Sequence, residues 1–189
     1  MRLFVAVDPG ERVRRHLSAW LDAGRRRWPL RWVRPEQLHL TLQFLGEQPA
    51  SAVEPLAAAL RAVAAHHPPL RLRSGGLGAF PGWRRPRVLV LHVDGGPELA
   101  DLAAAVRAAG AAACPGDRPD DKPWRPHLTL ARFRGRADAS LVAALREWRP
   151  EPPPDTAVDR IVLVESRLGP GGARYRDVAE FPLAGDPVP

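Results

Sequence analysis

Two copies of one tetrapeptide, His39-Leu40-Thr41-Leu42 and His127-Leu128-Thr129-Leu130, hold the side chains best suited to chemistry in this chain. Successive side chains on a β-strand point to opposite faces. Each copy therefore sends its histidine and threonine one way and its two leucines the other. The leucines anchor a strand in the core while the polar pair faces a cleft. An Arg-Pro pair stands upstream of each copy, at Arg34-Pro35 and Arg125-Pro126. Imidazole titrates near neutrality, so of two histidines flanking one substrate, one can accept a proton while the other, as imidazolium, donates one. Threonine hydroxyls between them suit the non-bridging oxygens of a phosphate. This set fits in-line hydrolysis of a phosphodiester with an internal leaving group, with no metal ion and no cofactor.

No other motif competes with the repeated one. Ser74-Gly75-Gly76-Leu77-Gly78 lacks the Lys-Ser/Thr of a phosphate-binding P-loop, and no Gly-x-Ser-x-Gly nucleophile elbow is present. The single cysteine, Cys114, leaves no intramolecular disulfide and no cysteine-rich zinc site. His66-His67 reads as a solvated helix end, and His16 and His92 read as bystanders.

The elements that must position the motifs can be traced by periodicity. Asp8-Pro9-Gly10-Glu11 offers an N-cap, a proline at the first helical position and a glutamate three residues after the cap; Val13, Leu17, Trp20, Leu21, Gly24 and Trp28 follow at helical spacing. Ser51 to Glu54 reads as a second capping box, opening a helix with Val53, Leu56, Leu60 and Val63 on one face. Further helices are expected from near Pro97 and from about Asp138, the latter stopped by Pro150. Strands are expected at 2–7, 38–45, 70–74, 87–93, 127–134, 158–165 and 174–182, with proline-rich loops at 115–126 and 150–154.

Strand, helix and motif strand thus recur in order. Leu3 to His39 spans 36 residues and Val88 to His127 spans 39, which argues for an internal duplication. The expected fold is α+β with α/β-like repeats. Two βαβ-rich lobes, related by a pseudo-twofold, would present antiparallel-rich sheets to a central cleft. Residues 1–189 would form one bilobal domain, with halves of roughly 1–85 and 86–189 and room for strand exchange between them.

A chain of 189 residues with 45% hydrophobic and 26% charged residues is ordinary for a globular protein. No apolar run reaches the roughly 18 residues that a membrane helix needs. The N-terminus enters directly into Leu3-Phe4-Val5-Ala6-Val7, read as a first strand, and a lone thiol suits a reducing compartment; the expectation is a cytoplasmic monomer with no membrane partner. A net charge of +7 favours anionic partners such as RNA or nucleotides. Because all but one of the basic residues are arginine and alanine is abundant, charge alone carries little weight. Arg25-Arg26-Arg27-Trp28 has the composition to grip a phosphate backbone beside a stacking ring, although a solvated helix end is the plainer reading.

Paired His-x-Thr-x motifs resemble the signature of the 2H phosphoesterase superfamily. Within it, Arg2-Leu3-Phe4-Val5-Ala6-Val7, the segment Arg34 to Gly46, and Arg125 to Arg132 are similar to the bacterial and archaeal RNA 2′,3′-cyclic phosphodiesterases, formerly called 2′-5′ RNA ligases. Ser166 to Tyr175 resembles that family's final hairpin, so the similarity runs nearly end to end. The resemblance implies His39 as the proton donor to the leaving O3′, His127 as the base that activates water, and Thr41 and Thr129 as the phosphate holders. It also implies substrate contact for Phe44 and Arg132. Each of these lies five residues after its histidine, where strict alternation turns it away from the cleft unless a bulge intervenes. The implied partner is RNA with a 2′,3′-cyclic phosphate end or a small cyclic-phosphate nucleotide, and the implied product is a 2′-phosphomonoester. Two alternatives stay open: the reverse, ligating reaction, and a basic RNA-binding module without catalysis.

Overall fold

The fold, a computed structural model, describes residues 1–114, 123–169 and 172–186. Most of the proline-rich loop expected at 115–126 therefore lies outside the described residues.

Strand β1 (Arg2–Val7) leads into helix α1 (Gly10–Arg27), which buries Val13, Leu17, Trp20, Leu21 and Gly24, the positions its spacing marks as one face. Asp8 caps differently from expectation. Its Oδ1 accepts the Gly10 N–H at 2.7 Å and also pairs with Arg14, and the helix begins one residue later, at a glycine with φ +82°. A two-residue strand absent from the expectations, β2 (Arg31–Trp32), precedes β3 (Leu40–Glu47), which carries the first motif. The capping box expected at Ser51–Glu54 does not form. Pro49 starts a 3₁₀ turn over Ala50–Ala52, and α2 (Val53–Ala65) follows from it with no side-chain cap.

Strand β4 (Leu70–Phe80) is longer than its apolar stretch foretold. Its pairing with β5 (Val88–Asp94) shifts register between Ser74 and Leu77, so the glycine-rich segment is a bulged strand rather than a loop. Gly78 is needed for space, since a Cβ there would lie 2.2 Å from Nε2 of His92. Helix α3 (Gly96–Ala113) then leads towards β6 (His127–Arg132), the second motif strand. Helix α4 (Ala139–Glu147) is capped as expected, Asp138 accepting the Leu141 N–H at 2.7 Å.

The strand expected at 158–165 is two strands. β7 (Thr156–Val158) pairs with β4, whereas β8 (Arg160–Gly169) pairs with β1 and with β9 (Gly172–Pro182). The sheet order is β7-β4-β5-β6-β3-β1-β8-β9, with β2 beside β6, and every registered pair is antiparallel. Only Asp159 separates β7 from β8, yet they lie near opposite ends of this path. The sheet must therefore curl strongly. β4, from the first half of the sequence, joins β5, β6 and β7, while β8 and β9 extend the sheet from β1.

These two four-stranded halves meet at β3 and β6 through the pair Leu40–Leu128, the two leucines that follow the motif histidines. Both are buried among the residues that pack the helices onto one face of the sheet. The other face is left for the polar halves of the motifs.

Candidate active site

Extending the Leu40–Leu128 register by one residue each way sets His39 across from Thr129 and Thr41 across from His127. The two motifs thus interlock on one face of the sheet. In a regular ladder, diagonal neighbours of this kind lie about 7–8 Å apart, somewhat less between Cβ atoms, room for one phosphate between two imidazoles. Trp124 fixes the approach of the second motif by donating its indole N–H to the Thr41 carbonyl at 3.1 Å.

The rings are held alike. Nδ1 of His39 lies 2.7 Å from the Gln37 carbonyl, and Nδ1 of His127 lies 2.7 Å from the Arg125 carbonyl. A carbonyl only accepts, so Nδ1 must carry the proton in both, which leaves Nε2 as the titrating nitrogen. Burial lowers the pKa of His39 below the ordinary 6.5; the nearby His127 and Arg132 push the same way, against the raising effects of the Gln37 carbonyl and Asp8. His127 is lowered as well, chiefly by burial and further by His92 and Arg132, against the raising effect of the Arg125 carbonyl. Each resting site favours a neutral imidazole.

Two bulges decide what else shares this face. β6 pairs Thr129 with Val90 but Ala131 with Leu89, so Leu130 is an extra residue. Leu130 and Ala131 both point into the core, the alternation is reset, and Arg132 returns to the face of His127 and Thr129. On β3 the pairing steps from Ala6–Thr41 to Val5–Gln43, so Leu42 is extra there. That shift brings Phe44 onto the face of Thr41, paired with Phe4, where its ring is 65% exposed. It also turns Gln43 towards Gly110 of α3. All six residues expected at the site therefore lie on one face, the last two by the irregularity that their spacing required.

Other residues complete the walls. His39 packs against Phe4, with ring centroids 4.8 Å apart, and against the edge of Tyr175 at 5.1 Å. His127 meets Phe80 at 4.7 Å. His92 is no bystander: it is the cross-strand partner of His127 and also packs on Phe80. Sequence reasoning missed Tyr175, Phe80 and His92 because each sits on a strand far in sequence from the motif histidine it meets. Only the strand period and the odd glycines opposite His92 hinted at them. The other histidines stand apart, with His16 on the Glu151 carbonyl and His66 and His67 on carbonyls of the α2 end. Among the described residues no three His, Cys, Asp or Glu side chains gather as a metal site.

A family model described as the 2′-5′ RNA ligase superfamily matches residues 10–170. A Thermus thermophilus protein named RNA 2′,3′-cyclic phosphodiesterase is 36% identical over 98% of this chain and 92% of its own length. An Aquifex aeolicus protein of the same name is 35% identical over 82% of each chain. Among solved structures, TT0787 of Thermus thermophilus superposes with a TM-score of 0.81 at 34% identity, covering 98% of this chain and all of that one. Escherichia coli LigT complexed with 3′-AMP superposes at 0.74 with 27% identity, over 96% of this chain and 97% of that one.

Proposed function

This chain belongs to the 2′-5′ RNA ligase superfamily, and we propose that it hydrolyses RNA 2′,3′-cyclic phosphodiester ends to 2′-phosphomonoesters by acid–base catalysis between His39 and His127. The observation that carries the reading is the matched anchoring of the two imidazoles. Each is tied at Nδ1 to the carbonyl two residues upstream, which leaves Nε2 to exchange the proton.

In the proposed step, neutral His127 takes a proton from water through Nε2 as the water oxygen attacks phosphorus. The bond from phosphorus to O3′ breaks in line with the attack. Protonated His39 delivers its Nε2 proton to O3′, which leaves as the 3′-hydroxyl. The proton gained by His127 and the one lost by His39 balance, and solvent exchange restores both. Thr41 and Thr129, each across from the other copy's histidine, donate hydroxyl hydrogen bonds to the non-bridging oxygens. The Arg132 guanidinium offsets the charge that builds there. Phe44, exposed beside Phe4, offers a ring for the terminal base. None of these steps uses a metal ion.

The names of the Thermus and Aquifex relatives and the 3′-AMP held by LigT support RNA ends as the substrate class. Hydrolysis is favoured over the reverse ligation because water is present at about 55 M, whereas a ligating strand end must be held in place. Both histidines come from one chain, so the reading is of a monomer, acting in the cytoplasm where RNA ends are its substrate.

The test is the product formed from a defined oligonucleotide ending in a 2′,3′-cyclic phosphate, identified by phosphorus NMR. A 2′-phosphate is expected. A 3′-phosphate, a ligated strand or an unchanged cyclic end would each overturn the assignment.

A further inference from the structure

We infer that a second, basic pocket beside the site binds the RNA strand upstream of the reacting nucleotide, so that the preferred substrate is an oligonucleotide rather than a cyclic mononucleotide. The pocket, a depression of about 480 Å³, is lined by Arg25, Arg31 and Arg134 with the indoles of Trp28 and Trp32. Its place in the fold follows from register. Arg31 of β2 pairs directly with Arg132 of β6, and paired residues point to the same face. Arg134 lies two residues beyond Arg132. The arginines thus continue outward from the edge of the phosphate site.

Charge and chemistry favour a polyanion with bases. Arg25 is partly neutralised by Asp22, whose Oδ1 lies 2.7 Å from it. Arg31, Arg132 and Arg134 make no ion pair with any described residue. Three exposed guanidiniums without carboxylate partners among the described residues leave this face strongly positive, which favours an anion. Trp32 packs over Gly24 and donates to the Trp28 carbonyl at 3.3 Å, so the indole floor is fixed rather than free to close the pocket. A groove of cations beside aromatic rings suits a single strand, with charge for the phosphates and apolar surface for bases of any identity, although here the indoles also pack on each other, on Arg27 and on Trp148. The Arg25-Trp28 segment thereby gains a role that its position at the end of α1 does not provide.

This inference rests on the proposed activity for the location of the strand's 3′ end, but its binding signature can be read without turnover. The full chain, Arg31→Gln/Arg134→Gln and Arg31→Lys/Arg134→Lys would be compared on adenosine 2′,3′-cyclic phosphate and on a hexanucleotide with the same terminus. Initial rates would be followed against KCl concentration. Expected for the glutamine pair is a loss of roughly tenfold in kcat/KM for the hexanucleotide, seen in KM, with the mononucleotide changed less than about twofold. The slope of log kcat/KM against log salt for the hexanucleotide should become shallower by about 1.4, from about 0.7 per lost phosphate contact. The lysine pair should keep most of that slope. Equal losses on both substrates, or an unchanged slope, would overturn the inference.

Fluorescence anisotropy of a labelled hexanucleotide 3′-phosphate on the same proteins separates the two readings. If the activity is misassigned, neither substrate is cleaved, yet the glutamine pair still binds more weakly and with less salt dependence. If the pocket is misassigned, wild type cleaves both substrates and the glutamine pair binds as tightly as wild type.

Discussion

Replacing Arg132 by glutamine should lower kcat/KM by about 10²–10³-fold and move the pH profile towards alkaline values. The first effect follows from geometry. The bulge at Leu130 turns Arg132, which makes no ion pair with any described residue, onto the face shared by both histidines. A guanidinium there forms charge-assisted bonds to phosphate oxygens whose charge increases in the transition state, and loss of one such preorganised donor costs about 10²–10³-fold. The second effect follows from electrostatics. The Arg132 cation disfavours protonation of His39 and of His127, lowering the pKa of each in the direction that burial also lowers it. In wild type the bell of kcat/KM should therefore sit on the acid side of the ordinary 6.5. Removing the cation raises both limbs, so the variant's bell shifts to higher pH. Arg132→Lys, which keeps the charge but not the planar fork, should lose rate with little shift in the profile. The assay is initial-rate chromatography on a cyclic-phosphate substrate across about pH 4.5 to 8.5. If Arg132→Gln stays within about threefold of wild type and its profile does not move, the bulge argument is wrong.

Three further outcomes are expected. Activity should survive dialysis against EDTA, because every proton in the proposed step is moved by a side chain; loss on chelation with recovery on adding a divalent metal would contradict this. Gly24→Ala should destabilise the fold by about 1–3 kcal/mol in urea unfolding, since the new Cβ would lie 2.3 Å from the Trp32 ring; an unchanged midpoint would show that β2 is not held against α1 as described. The lowered pKa values of His39 and His127 mean that, just below pH 6.5, the unfolded chain binds more protons than the folded one. Their contribution to stability is therefore complete above 6.5 and is lost as pH falls through the folded-state values. Thermal melts should show the slope of stability between about pH 7 and 5 flattening in His39→Gln/His127→Gln; an unaltered slope would rule out burial as the cause.

How much of the site could be read beforehand depended on the range of the interactions that define each part. The pairing of His39 with Thr41 and of His127 with Thr129 needs only the strand period, and the buried leucines between them confirm it. The placement of Phe44 and Arg132 was conditional. Alternation sends both inward, and only the neighbours Val5–Ala6 and Leu89–Val90 fix where the extra residues Leu42 and Leu130 sit. His92, Phe80 and Tyr175 join the site through strands far away in sequence, which no local pattern encodes. The same limit explains the split at Asp159. A run of strand-forming residues does not tell which part pairs with β4 and which with β1 until the sheet has curled. At Ser51 a local signal was overruled locally, because the turn begun at Pro49 passes directly into α2 and leaves the serine inside a 3₁₀ turn.

Whether His39 and His127 move the two protons of a single step is read from kcat/KM for His39→Ala, His127→Ala and the double variant on one 2′,3′-cyclic oligonucleotide, with circular dichroism confirming the fold. Each single change should lower kcat/KM by at least about 10²-fold, and the double change should cost far less than the product of the two. Either single variant retaining activity within about threefold of wild type would contradict it.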